Sequence, residues 1–247
     1  MIDIHCHILP NMDDGSDSLE ESLNMIRTAQ KNDTNVIIAT PHFYKYDSID
    51  EFVYERDEKA LLLNNAAKEL GYNVSVACGA EVFLDSRIFT ADNLDELTLN
   101  GSKYLLCEFT LKPFENEKAV IYCEELVSRG YVPIIAHPER YINFLNDPTV
   151  VNDLWDMGCK FQVNASGLAG HGGERMRDFA FELIKRGFCV AIGTDAHSSI
   201  SRNNRILDKI DEFPEEITQE EIEEQLTANP LRILKKEDLP ENEVEYF

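Results

Sequence analysis

The chain alternates from end to end between apolar runs of about five residues and longer stretches with helical spacing. The runs are 2–5 (IDIH), 36–40 (VIIAT), 74–78 (VSVAC), 104–109 (YLLCEF), 132–136 (VPIIA), 160–164 (KFQVN) and 188–193 (FCVAIG). Several are apolar almost throughout, the pattern of strands covered on both faces of a parallel sheet. Between them, Ser18 and Glu21 form an S-x-x-E capping box that opens a helix with Leu19, Leu23, Ile26 and Ala29 on one face. Further helical stretches over 51–70, 115–129 and 174–186 stop at Gly71, Gly130 and Gly187. This alternation predicts an α/β fold with a parallel sheet. Seven strands with intervening helices suit a barrel better than an open two-sided sheet. At 247 residues the chain reads as a single domain over 1–247, large enough to bury a full core without disulfides.

Charge narrows the function. With 46 acidic and 23 basic residues, the net charge is -23. Such a surface repels nucleic acid, whose binding depends on Lys and Arg meeting phosphates. A polyanionic ligand would need metal ions or a few placed arginines. The acid concentrates in 206–247, which hold 14 acidic and 4 basic residues. That acidic C-terminal segment is expected to pack on the domain or to be partly loose, with one helical pattern (EEIEEQLTANP) ending before Pro230. No apolar run has the length of a transmembrane span, and the start, MIDIHCHILPNMDDG, lacks the features of a signal peptide. The six cysteines lie scattered, mostly inside apolar runs and without C-x-x-C spacing, which predicts reduced, buried thiols in a cytoplasmic protein.

Position makes the histidines informative. His5, His7, His42, His137 and His197 each fall at or just past the C-terminal end of an expected strand. Glu81, Glu108 and Asp195 are placed likewise, and Asp13 and Asp14 lie in the first loop. In parallel α/β folds these strand ends converge on one face, where catalytic groups gather. Imidazole and carboxylate are ligands for borderline divalent metals. So many exceed the needs of one ion and suggest two or three that share bridging carboxylates. His171, in the segment AGHGGE, follows no strand and reads as a loop residue.

HCH (5–7), DDG (13–15), ATPH (39–42), GAE (79–81), CEF (107–109), HPER (137–140) and GTDAH (193–197), in this order, resemble the polymerase-and-histidinol-phosphatase (PHP) superfamily. The closer resemblance is to its bacterial tyrosine-protein phosphatase branch, associated with capsule and exopolysaccharide synthesis. It covers about residues 1–205 and implies a distorted (β/α)7 barrel with three divalent metal ions, manganese first and Fe, Co or Zn as alternatives. Carried over, His5, His7, Glu81 and Asp195 would hold one ion. Glu81 would bridge to a second with Glu108 and His137, and Asp14, His42 and His197 would hold the third. Asp13 is then the neighbour that does not ligate.

The implied reaction is hydrolysis of phosphotyrosine by a metal-activated hydroxide, with no phospho-enzyme. The implied partner is a phosphotyrosine protein, a bacterial tyrosine kinase of polysaccharide export. Arg140 is the expected catalytic and phosphate-gripping arginine, since a guanidinium binds phosphate bidentately. Arg202 and Arg205 offer a second grip, and Arg205 is taken as the substrate-binding candidate. Asn164 and Ser166 either donate to ligands or serve the loop. Phe43 and Tyr44 either stack on a phenyl leaving group or form the rim. No cysteine is assigned a role: Cys123 and Arg129 have the spacing of a thiolate phosphatase loop, but inside a helix pattern. The alternatives are a small-molecule phosphomonoesterase such as histidinol phosphatase, a phosphodiesterase, which the charge disfavours, and a regulatory metal module without turnover.

Overall fold

A computed structural model describes residues 1–44 and 48–247. Among the described residues nine strands appear: β1 (Ile2–Cys6), β2 (Val36–Ala39), β3 (His42–Phe43), β4 (Ser75–Cys78), β5 (Glu81–Phe83), β6 (Tyr104–Glu108), β7 (Val132–Ala136), β8 (Lys160–Asn164) and β9 (Cys189–Gly193). The helices are α1 (Leu19–Lys31), α2 (Ile49–Glu69), α3 (Asn116–Ser128), α4 (Ile142–Asn146), α5 (Val150–Asp156), α6 (Ala165–Leu168), α7 (Glu174–Lys185), α8 (Ile206–Ile210), α9 (Gln219–Glu223) and α10 (Asn229–Leu234). All strand pairs are parallel, in two sheets ordered β1-β2-β4 and β3-β5-β6-β7-β8-β9. The expected α/β class with parallel strands is therefore what the chain adopts.

The seven expected runs match seven passes of the chain. Two passes are interrupted, at 40–41 between β2 and β3 and at 79–80 between β4 and β5, and each then continues in the other sheet. Opposite these breaks, β1 meets the end of β9. Asp195 N donates to His5 O at 2.8 Å, and His7 N to Ala196 O at 2.9 Å. Buried Asp3 locks this seam, accepting from Thr194 N at 3.0 Å, Thr194 Oγ1 at 2.5 Å and His5 N at 3.2 Å.

Helix boundaries follow ordinary capping chemistry. Ser18 caps α1 by accepting from Glu21 N, which satisfies an N–H the first turn leaves free. The buried side chains of α1 (Ser22, Met25, Ile26, Ala29) repeat at helical spacing and face the core. The acidic C-terminal segment contributes apolar side chains to the core. Ile206, Phe213, Ile217, Ile222 and Leu226 are buried in the main core, and the Phe247 ring stacks on Phe188 at 5.6 Å. Its helical pattern does not stop before Pro230. A π-helical turn over Glu224–Ala228 runs straight into α10, where Pro230 sits in the first turn and has no intrahelical N–H to lose.

Candidate metal centre

The strand ends gather all nine candidate ligands at one place. His5 and His7 flank Cys6 at the end of β1, His42 opens β3 and Glu81 opens β5. Glu108 closes β6, His137 follows β7, and Asp195 and His197 follow β9. Asp14 comes from the loop after β1. Gly15 lets that loop fold back, because a Cβ there would lie 2.2 Å from His7 O. His137 and Asp195 adopt left-handed backbone (φ 36° and 50°), which side chains other than glycine rarely do. Such strain, of about 1–3 kcal/mol per residue, persists where surrounding bonds over-determine the conformation. Here Arg140 N donates to His137 O, and Asp195 N to His5 O.

Glu81 lies at the middle. Its carboxylate is 2.8 Å from His137 Nε2, 3.0 Å from His42 Nδ1, 3.2 Å from His7 Nε2 and 3.4 Å from His5 Nε2. Asp195 Oδ1 lies 3.5 Å from His7 Nε2 and from His197 Nδ1, and 3.6 Å from His5 Nε2. Glu108 is 3.6 Å from His42 Nδ1 and 3.8 Å from His137 Nε2. Asp14 Oδ1 is 3.4 Å from both His42 Nε2 and His197 Nε2. Four groups emerge whose ligand atoms lie within 4.8 Å of one another: His7/Asp14/His42/His197, His5/His7/Glu81, His5/His137/Asp195 and His42/Glu81/Glu108.

Two observations fit this donor set to metal ions. His42 Nδ1 and His197 Nε2 are buried and accept or donate no hydrogen bond, although a buried polar atom without a partner is costly. The tautomers also point inward. His5 Nδ1 donates to Gln162 Oε1 at 2.7 Å and His7 Nδ1 to Asp13 Oδ2 at 2.7 Å, since both oxygens can only accept. This leaves the Nε2 atoms facing each other at 3.3 Å. Two ring nitrogens so close, beside two carboxylates, suit a shared cation, either a metal ion or a proton.

The ionisation of the groups agrees. Burial opposes charge on Glu81, yet His5, His137 and His42 hold its carboxyl well below the usual range. Burial likewise lowers His5, but the Glu81 and Asp195 charges raise it above normal. Burial, joined by the Glu81 charge, pushes Glu108 up to about 7. Burial and the His7 charge push His197 down to about 3. The pocket thus draws positive charge to its floor and keeps neutral imidazole at its mouth.

A buried layer supports the ligands. Gln162 Nε2 donates to Asn164 Oδ1 at 3.0 Å, and Asn164 Nδ2 donates to Asp195 Oδ2 at 2.9 Å. One chain of bonds therefore links His5 to Asp195. Glu139 Oε1 accepts from Asn164 N at 2.9 Å. Gly193 makes room, since a Cβ there would lie 2.9 Å from both Gln162 Nε2 and His5 Cβ. Asp13 turns away from the inner ligands and holds His7 and the His42 and Gly15 N–H groups.

Arg140 and Arg202 line the edge, donating to Asp195 Oδ2 at 3.0 Å and Oδ1 at 2.8 Å. Both border a cavity of about 550 Å³ that also includes Asn164, Ser166 and Arg205. The Arg205 side chain is exposed on its outer wall and makes no bond to Asp195 among the described contacts. Phe43 packs on Phe52 inside the core, whereas the Tyr44 ring stands 5.1 Å from that of His42. His171 pairs with Glu212 on the surface.

A family model described as capsular polysaccharide synthesis, CpsB/CapC, matches residues 1–235. The chain belongs to the CpsB/CapC family. This agrees with the resemblance carried by the seven motifs. Among curated relatives, the tyrosine-protein phosphatase YwqE of Bacillus subtilis (strain 168) is 34% identical, over 82% of this chain and 80% of its own length. The tyrosine-protein phosphatase CpsB of Streptococcus pneumoniae is 28% identical, over 95% and 98%. A solved structure from work on YwqE and CpsB, described there as metal-dependent tyrosine phosphatases, superposes with a TM-score of 0.88. It is 29% identical and covers 100% of this chain and 99% of its own. An organophosphorus hydrolase variant from Deinococcus radiodurans shares the fold alone (TM-score 0.56, 12% identity, 94% and 92% coverage).

Within this CpsB/CapC chain, the cysteines stand apart from the centre's chemistry. All six are free. Burial pushes the Cys6 and Cys107 thiols well up and the Cys189 thiol to about 12, so none of these three is a ready nucleophile. Cys123 is buried within α3, and Arg129 at that helix's end is bound to Glu125, Phe89 O and Ala91 O. Gln162 is the functional residue that sequence reasoning missed. The available signal was a polar side chain two positions before Asn164 in KFQVN, since both face the same way.

Proposed function

We propose that this chain is a metal-dependent protein-tyrosine phosphatase, acting on a phosphotyrosine protein that is a bacterial tyrosine kinase of polysaccharide export. The observation that carries the reading is the convergence of five histidines and four carboxylates at one set of strand ends, in a family whose compared relatives are named tyrosine phosphatases. In the same proposal the seven passes form a distorted (β/α)7 barrel and residues 1–247 one domain, with 206–247 as its acidic extension. The ions number three, with Mn²⁺ preferred over Fe, Co or Zn, and the protein is cytoplasmic. Among the described residues, no helix is long and apolar enough to cross a membrane.

In this proposal His5, His7, Glu81 and Asp195 would hold one ion, Glu81, Glu108 and His137 a second, and Asp14, His42 and His197 the third. When bound, they would neutralise phosphoryl oxygens and lower the pKa of water. The chain's own residues supply the rest. Gln162 and Asp13 fix the tautomers of His5 and His7. Arg140 and Arg202, both already turned towards Asp195, stand where guanidinium N–H groups can grip the equatorial oxygens of a phosphate. Arg205 meets the substrate further out. The Asp14 side chain is 62% exposed, so the centre opens to solvent at a rim that a phosphorylated side chain on a protein surface can reach.

Phosphate release from a phosphotyrosine peptide and from histidinol phosphate, measured side by side with Mn²⁺, tests the reading. Release from the peptide is expected to dominate. A preference for histidinol phosphate would make the chain a small-molecule phosphomonoesterase instead, and no release from either would leave only a binding or regulatory role.

A further inference from the structure

The phosphatase reading, on which this inference rests, puts Arg205 at the outer edge of the substrate site and leaves the cations beside it without a task. The loop after His197 is held in one shape. His197 N donates to Arg202 O at 2.8 Å, and Ser199 N and Oγ donate to Glu21 of α1 at 2.5 and 3.0 Å. Buried Lys209 donates through Nζ to Asn203 O at 2.8 Å. Arg202 takes up a left-handed backbone (φ 41°), and its guanidinium turns in towards Asp195. Arg205 turns the other way. With Arg27 and Lys31 of α1 and with Asp208, it lines a second cavity of about 390 Å³. That cavity shares Arg205 and Asp208 with the larger one beside Arg140, Asp195 and Arg202.

Arg140 and Arg202 are each paired with Asp195, whereas Arg27, Lys31 and Arg205 form no ion pair among the described residues. On a chain of net charge -23, three cations without ion pairs among the described residues, against the single carboxylate of Asp208 in the same cavity, form a local region that attracts anions. Reach is compatible. Glu21 holds the loop at the rim, and Arg27 and Lys31 lie about 9 and 15 Å further along the helix. An extended peptide covers about 3.3 Å per residue, so side chains about three to five positions from a bound phosphotyrosine reach these cations.

We propose that Arg27, Lys31 and Arg205 form an anion-binding subsite, through which the enzyme prefers phosphotyrosine sequences with anionic residues three to five positions away. The anion is a carboxylate or a second phosphorylated side chain. The test uses the full chain with Mn²⁺ and three phosphotyrosine peptides that carry Gln, Glu or phosphoserine at those positions on both sides. The quantity read is the kcat/KM of each anionic peptide divided by that of the Gln peptide. Exposed charge pairs contribute modestly, so a ratio of about three- to tenfold is expected, carried by KM and shrinking as salt rises. In the triple variant Arg27→Gln, Lys31→Gln, Arg205→Gln the ratio should fall towards one. A preference for Glu and phosphoserine alike, or for one of them, supports the subsite and identifies its anion. A ratio of one in the unaltered protein, or one that survives in the triple variant, overturns the subsite alone. No turnover of any phosphotyrosine peptide overturns the phosphatase reading and the subsite with it.

Discussion

The floor and the rim of the centre are built differently. On the floor, His5, His7, Glu81, His137 and Asp195 are almost fully buried, and the inward faces of His5, His7 and Asp195 are set by Gln162, Asp13 and Asn164. At the rim, Asp14 is mostly exposed, His42 Nδ1 and His197 Nε2 lack hydrogen bonds, and Arg202 sits on a loop. A buried, hydrogen-bonded floor holds ligands in place before any ion arrives, which lowers the ordering needed on binding. An open rim leaves room for substrate. The comparison teaches that the floor fixes its ligands in advance, whereas the rim combines ligands with the arginines and the access that a substrate needs.

That difference can be probed by substitution. Glu81→Gln removes the carboxylate that four histidines approach. It should reduce both bound metal and kcat, the latter by about a thousandfold or more. Metal counting by mass spectrometry beside phosphotyrosine turnover would check it, and full metal content with normal turnover would remove Glu81 from the centre. Arg140→Ala acts at the rim. Its kcat/KM should fall by about 10- to 100-fold, with metal content unchanged. Loss of metal in that variant would erase the distinction between floor and rim.

The smallest effect sharpens the account most. Gln162→Met keeps the volume but removes the acceptor that sets the His5 tautomer. It should weaken metal binding by about tenfold, read by competition with a metal-sensitive dye, while circular dichroism stays native. Unchanged affinity would mean that His5 is held by packing alone.

Much of this was legible in the sequence, for identifiable reasons. The strands that carry ligands are short and nearly all apolar, so a His or Glu at their ends stands out against the run, as in VPIIA before His137. β3 and β5 were not legible. They are two and three residues long and exist because the chain bends at 40–41 and 79–80 and changes sheets. The packing of these C-terminal side chains was hidden too, because Ile206, Phe213, Ile217, Ile222 and Leu226 follow no single period among many acids. The different roles of Arg202 and Arg205 depend on one left-handed backbone position, which composition does not reveal. Gln162 read as a polar residue on a strand until the structure placed it against His5.

The central claim is that this chain hydrolyses phosphotyrosine with ions held by the nine converging ligands. The direct measurement is phosphate release from a phosphotyrosine peptide by the full chain as purified, after chelation, and after Mn²⁺ is restored, with bound metal counted at each stage. The account predicts release that disappears with the metal and returns with it, at close to three ions per chain. Undiminished release from the metal-free chain would contradict it.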